Sequence, residues 1–187
     1  MQRFVLALAL LAAPMLAHAI EEPAYEVLRP LGDQIEIRRY APYVVAEVLV
    51  SGTAEDAGNQ AFRILAGYIF GKNKGEKKLE MTAPVTQAAA PGGFLMQFVL
   101  PKGVTLESAP EPLDPRVQLR EVAATRLAAI RYSGFWSQDN YDEHLAKLKA
   151  ALQAADLSWT GEPVFSRYNP PFMPWFLRRN EIWLTLP

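Results

Sequence analysis

The chain contains itself twice. Written without gaps at an offset of 82 residues, 35–52 lies over 117–134: Ile35 on Val117, Ile37 on Leu119, Arg38 on Arg120, Ala46 on Ala128, Val48 on Ile130, and Ser51-Gly52 on Ser133-Gly134. Each copy opens on alternating apolar positions. These are Ile35, Ile37, Val45 and Val48 in the first and Val117, Leu119, Leu127 and Ile130 in the second, broken by short turns at Ala41-Pro42 and Ala123-Ala124. A period of two is that of strands with one buried face, and each copy reads as a β-hairpin.

A helix follows each Ser-Gly. Ala57, Ala61, Leu65 and Tyr68 form one apolar stripe, with Gly71 placed to end that helix. Tyr141, Leu145, Leu148, Leu152 and Ala155 form the second stripe, on a helix started by Ser137 or Asp139. A Pro-Val segment and a last strand then close each copy: 83–86 followed by 94–100, and 162–165 followed by 181–186.

The plan is therefore strand-strand-helix-strand-strand, twice. Each half alone leaves the apolar face of its sheet in water, so the halves must cover one another. The expected fold is α+β, with duplicated ββαββ-type halves forming a distorted antiparallel β-barrel of about eight strands flanked by two helices. The halves run over about 25–108 and 109–187, within one domain spanning 20–187. Residues 25–28 add an edge strand, and the Pro-rich stretch 109–115 joins the halves.

Residues 1–19 read differently. Met1-Gln2-Arg3 is a short cationic start, 4–13 is an unbroken apolar run, and Ala17-His18-Ala19 has the small-x-small pattern of signal peptidase sites. Pro14 and His18 interrupt a run already short of the roughly 20 apolar residues that span a bilayer, which favours a cleavable leader over an anchor. Cutting after Ala19 predicts a periplasmic or secreted protein with no transmembrane segment after cleavage. The chain has no cysteine, so neither a lipoprotein anchor nor a disulfide framework is available. Its formal net charge of −1 comes with both signs mixed along the chain, without the basic stripe that draws proteins onto phosphate backbones, so nucleic acid is not an expected partner.

Five runs occur in order: Ile37-Arg38-Arg39-Tyr40, Tyr68-Ile69-Phe70-Gly71-Lys72-Asn73, Met81-Thr82-Ala83-Pro84-Val85, Tyr168-Asn169-Pro170-Pro171 and Arg178-Arg179-Asn180-Glu181-Ile182-Trp183. In these the chain resembles the SOUL haem-binding proteins over roughly 25–186. The resemblance implies a duplicated barrel like the ligand-binding domains of the gyrase-inhibitor-like superfamily. It also implies non-covalent binding of haem b or another tetrapyrrole, as a cofactor or a transported ligand. In some members a His in the first hairpin is proposed as the axial iron ligand. The matching position here is Arg39, while other members are described as binding haem mainly through an apolar surface.

Haem requires a flat apolar slot, cations or amides for two propionates, and optionally an iron ligand. For the slot the candidates are Phe62, Leu65 and Tyr68 on the first helix and the late loop 171–177 with Phe172, Met173 and Trp175. That loop is more apolar than a solvated connection, and it either caps the barrel or contacts the ligand. For the propionates the candidates are Arg39, Lys72, Lys74 and Arg178, although lysines just after a helix C-terminus also meet its dipole or sit in water. For iron, His144 lies about 60° from the centre of the second helical stripe, at the edge of the buried face. Met81, Met96, Met173 and the tyrosines are further ligand-capable residues, and the absence of cysteine rules out c-type attachment.

No enzymatic constellation emerges. One histidine with scattered acids supplies no metal site, and no Gly-x-Ser-x-Gly turn accompanies it. The alternative to a binding protein is a small-molecule hydrolase on the same barrel, with Glu47 or Glu181 as a buried general base. Each of these strand carboxylates is otherwise placed to point outward or to pair with an arginine.

Overall fold

The structure, a computed structural model, describes residues 20–187; the expected leader lies outside the described residues. The elements run β1 (Tyr25–Pro30), β2 (Ile35–Tyr40), β3 (Tyr43–Val50), α1 (Ala54–Ile69), β4 (Val85–Ala90), β5 (Gly93–Val99), β6 (Gln118–Val122), β7 (Thr125–Tyr132), α2 (Gln138–Ala154), β8 (Thr160–Arg167) and β9 (Asn180–Thr185). They form the α+β fold read from the duplication. One nine-stranded antiparallel sheet has the order β1-β2-β7-β9-β8-β4-β5-β3-β6 and curls as a half-barrel, with β1 and β6 at its edges. Exchanging the halves reverses the order from β2 to β6 without changing it, so a pseudo-twofold axis passes between β4 and β8.

The expected hairpins do not form. β2 pairs with β7 of the other half, and β3 pairs with β6. Alternation specifies which face of a strand is buried but not which strand is its neighbour. The duplication supplies β7 as a chemical equivalent of β3, and the partner in the other half is the one used. The Pro-Val match is also shifted. The register Val48, Met96, Gln87 corresponds to Ile130, Ile182, Phe165, so Gln87 is the counterpart of Phe165 and Ala89 that of Arg167. The β8 pairing is irregular between Thr160 and Val164.

Both helices cover the same face of the sheet. Ala57, Ala61, Leu65 and Tyr68 of α1 are buried against Val44, Ala46 and Val48 of β3, together with Met96 and Phe98 of β5. Leu148 and Leu152 of α2 pack on Ile130, Ile182 and Leu184. The caps follow the sequence. The Thr53 and Ser137 hydroxyls accept from the backbone N–H groups of Asp56 and Asn140, and Gly71 sits at φ +110° just past α1.

The opposite face carries a row of paired polar residues: Glu47, Gln97, Thr86, Ser166 and Glu181. Arg120 bonds Glu47 on β3 and Arg38 bonds Glu181 on β9, so the arginines matched by the duplication pair with carboxylates on strands that are not equivalent. Tyr40, Leu127, Tyr168 and Trp183 enclose the second of these pairs.

Candidate functional site

The helices leave the centre of their face uncovered. There, along the pseudo-twofold axis, a cleft of about 1230 Å³ opens over β4 and β8, between the N-terminal halves of α1 and α2. That volume exceeds the roughly 300–1,000 Å³ of sites for drug-sized ligands. Phe62 forms the α1 wall and packs edge-on against Phe98, with ring centres 5.3 Å apart. Tyr141 and Phe165 meet edge-on at 5.6 Å on the α2 side, beside Trp136. Burial, reinforced by the charges of Asp142 and Glu162, pushes the Tyr141 phenol up to about 12, so it is a neutral hydroxyl near pH 7.

The cleft floor is polar at one place. Arg167 lies beneath Trp136 and Phe165, its guanidinium carbon 5.2 and 4.6 Å from their ring centres. Its Nη2 donates to Gln87 Oε1 at 3.1 Å, and Gln87 Nε2 donates to the Ala54 carbonyl at 2.7 Å. Burial holds the Arg167 pKa below its usual value, partly countered by Tyr132.

Of the residues singled out from sequence, Phe62 lines this cleft, and so do Met81, Tyr141 and Tyr168 among the ligand-capable residues. Leu65 and Tyr68 belong to the core beneath α1, and the Tyr68 hydroxyl donates to the Pro110 carbonyl. Arg39 is exposed on β2, 3.7 Å from Glu26. Lys72 lays its chain along Gly67, and Lys74 pairs with Glu111, both beyond the far end of α1. The loop 171–177 borders the cleft through Pro171, yet Phe172 is 84% exposed and Trp175 stacks on Phe135. Arg178 holds this loop by donating to the Met173 and Pro171 carbonyls, and it lies 4.5 Å over Trp136. His144 stacks on Tyr132 at 4.1 Å, and its Nδ1 is 2.7 Å from the Asn140 carbonyl, away from the cleft lining.

Sequence reasoning missed Arg167, Gln87, Gly58 and Trp136. A signal for Arg167 was present: it shares strand parity with Phe165, so a charged side chain occupies a position that alternation assigns to the helix-covered face.

The carboxylates considered as general bases lie on the other face of the sheet. Glu47 accepts from Arg120 and Gln97. For Glu181, burial alone would raise the pKa, but the hydrogen bond and charge of Arg38, then Arg179 and Trp183, outweigh it and hold the group below its usual range. Among the described residues, no cluster of three His, Cys, Asp or Glu side chains could hold a metal ion.

The chain is 30% identical to human "Heme-binding protein 2" over 181 residues, covering 90% of this chain and 87% of the relative. It is 27% identical to mouse "Heme-binding protein 1", covering 70% and 72%. Among solved structures, the EcmrR C-terminal domain superposes with a TM-score of 0.59 at 10% identity, covering 82% of this chain and 97% of that one, which is a likeness of fold. The SOUL heme-binding protein family profile matches residues 20–185, and the chain belongs to that family.

Proposed function

We propose that this protein binds haem b, or a closely related tetrapyrrole, without covalent attachment in the cleft between α1 and α2, and that it serves outside the cytoplasm in binding, buffering or delivery. The observation that carries this reading is the cleft itself: about 1230 Å³, walled by Phe62, Tyr141, Phe165 and Trp136, with one guanidinium at its floor. The aromatic walls suit a macrocycle, and Arg167 suits a propionate. Haem would bring its iron chemistry to the site, while the chain's own residues bind and orient the ring.

Titrating hemin into the protein lacking residues 1–19 should give a saturable Soret shift. Binding no stronger than in buffer controls rejects the reading. No imidazole lines the cleft among the described residues, so packing carries the affinity. Iron-free protoporphyrin IX should therefore bind within about tenfold of hemin, and His144→Ala should change hemin affinity by less than about threefold. A Soret band abolished by His144→Ala would instead make that imidazole the iron ligand.

Export rests on the leader pattern of residues 1–19. Mass spectrometry of the exported protein should find Ile20 at its start; a start at Met1 removes this part of the proposal.

A further inference from the structure

Arg167 is the one charged side chain that the sheet contributes to the cleft among the described residues. Its Nε is buried without a hydrogen-bond partner, and among the described residues the guanidinium makes no ion pair. Arg38, the buried arginine on the other face of the sheet, differs: it is neutralised by Glu181 at 2.8 Å. A guanidinium stays charged at any physiological pH, and burying one without an anion is costly. The faces of Phe165 and Trp136 offset only part of that cost.

The surroundings preserve this unmatched charge. Gln87 offers its oxygen to Arg167 because its nitrogen is committed to the Ala54 carbonyl, but an amide brings no negative charge. Gly58 leaves the space above them open: a Cβ there would lie 3.1 Å from Gln87 Oε1 and 3.8 Å from Arg167 Nη1. The first turns of α1 and α2 both border the cleft. Glu55 and Arg63, also in the lining, add one charge of each sign. The pseudo-twofold axis makes the arrangement directional, because the counterpart of Arg167 on β4 is Ala89.

Taking the cleft as the ligand site, we infer that Arg167, oriented by Gln87, is an anion seat that restricts the cleft to aromatic acids and fixes their orientation, with the carboxylate edge toward β8. A neutral molecule of the same shape loses this contact, and a cationic one is repelled.

Two matched pairs of probes test the inference: hemin against its dimethyl ester, and the anionic dye 1-anilinonaphthalene-8-sulfonate against neutral N-phenyl-1-naphthylamine. A charge-assisted hydrogen bond predicts that the native protein favours the anion of each pair by about tenfold or more. Arg167→Met and Arg167→Gln should reduce the preference to within about twofold by weakening binding of the anion in each pair, with an unchanged circular dichroism spectrum reporting an intact fold. Arg167→Lys should retain part of it. No preference in the native protein, or an equal preference in Arg167→Met, overturns the inference. If hemin fails to bind while the dye pair shows an Arg167-dependent preference, the anion seat stands and the haem reading falls. If hemin binds equally well to both proteins, the haem reading stands and the anion seat falls.

Discussion

Glu181→Gln should lower the free energy of unfolding by about 3–5 kcal/mol, measured by urea denaturation. The carboxylate is fully buried and accepts from Arg38 Nη1 at 2.8 Å, Arg179 Nε at 3.0 Å, the Tyr168 hydroxyl at 2.9 Å and Trp183 Nε1 at 2.7 Å. Glutamine preserves the shape but removes the charge, and its amide places donors where only donors already point. Arg38, 3% exposed, is then left without its main counter-charge. The double variant Arg38→Met/Glu181→Leu should recover only part of the loss, because it avoids desolvating the ion pair but leaves the Tyr168 hydroxyl and Trp183 Nε1 without their acceptor. A loss below about 1 kcal/mol in the single variant would show that the ion pair is not needed to balance the buried guanidinium.

The same group sets an acid limit. The folded-state pKa of Glu181 is held below the ordinary value of 4.5, so the folded protein binds its proton less readily than the unfolded chain does. Its stabilisation is complete above the unfolded pKa and is lost as pH falls from there through the folded pKa. Denaturation of the native protein followed downward from pH 6 should steepen below about pH 4.5, and the Glu181→Gln profile should be flatter over that window.

Gly58→Phe should weaken hemin binding by about a hundredfold, equivalent to ~2.7 kcal/mol, without a matching loss of stability. The new ring has to displace Gln87 and Arg167 or fill the cleft between them and Phe62. Replacing a helical glycine by a residue with better helix propensity offsets part of the crowding, by a few tenths of a kcal/mol. Unchanged affinity in a folded variant would move the ligand elsewhere on the molecule.

Much of the fold was legible because duplication makes each segment a check on its equivalent. The helical stripes, the Ser137 cap, the Gly71 stop and the edge strand all have local causes, in side-chain spacing and capping chemistry. The pairing of β2 with β7 has none, since alternation is blind to the identity of a neighbour. The site was partly legible. Leu65 and Tyr68 already belonged to the stripe that faces the sheet, whereas Phe62 lies off it and reaches the cleft. Arg167 required knowing that β8 continues through Ser166 and passes beneath the gap between two helices, which is a property of the assembled sheet.

The crossing of β2 and β6 into one another's territory has a bearing on ancestry. A chain of half this length would carry an outer strand with no neighbour of its own, and two copies would complete each other only by trading those arms. The architecture is thus that of a swapped homodimer made covalent by the segment after β5. Such a pair, while identical, could offer a guest only a symmetric berth; a single chain can carry different residues at its two equivalent places, as it does with Arg167 on β8 and Ala89 on β4.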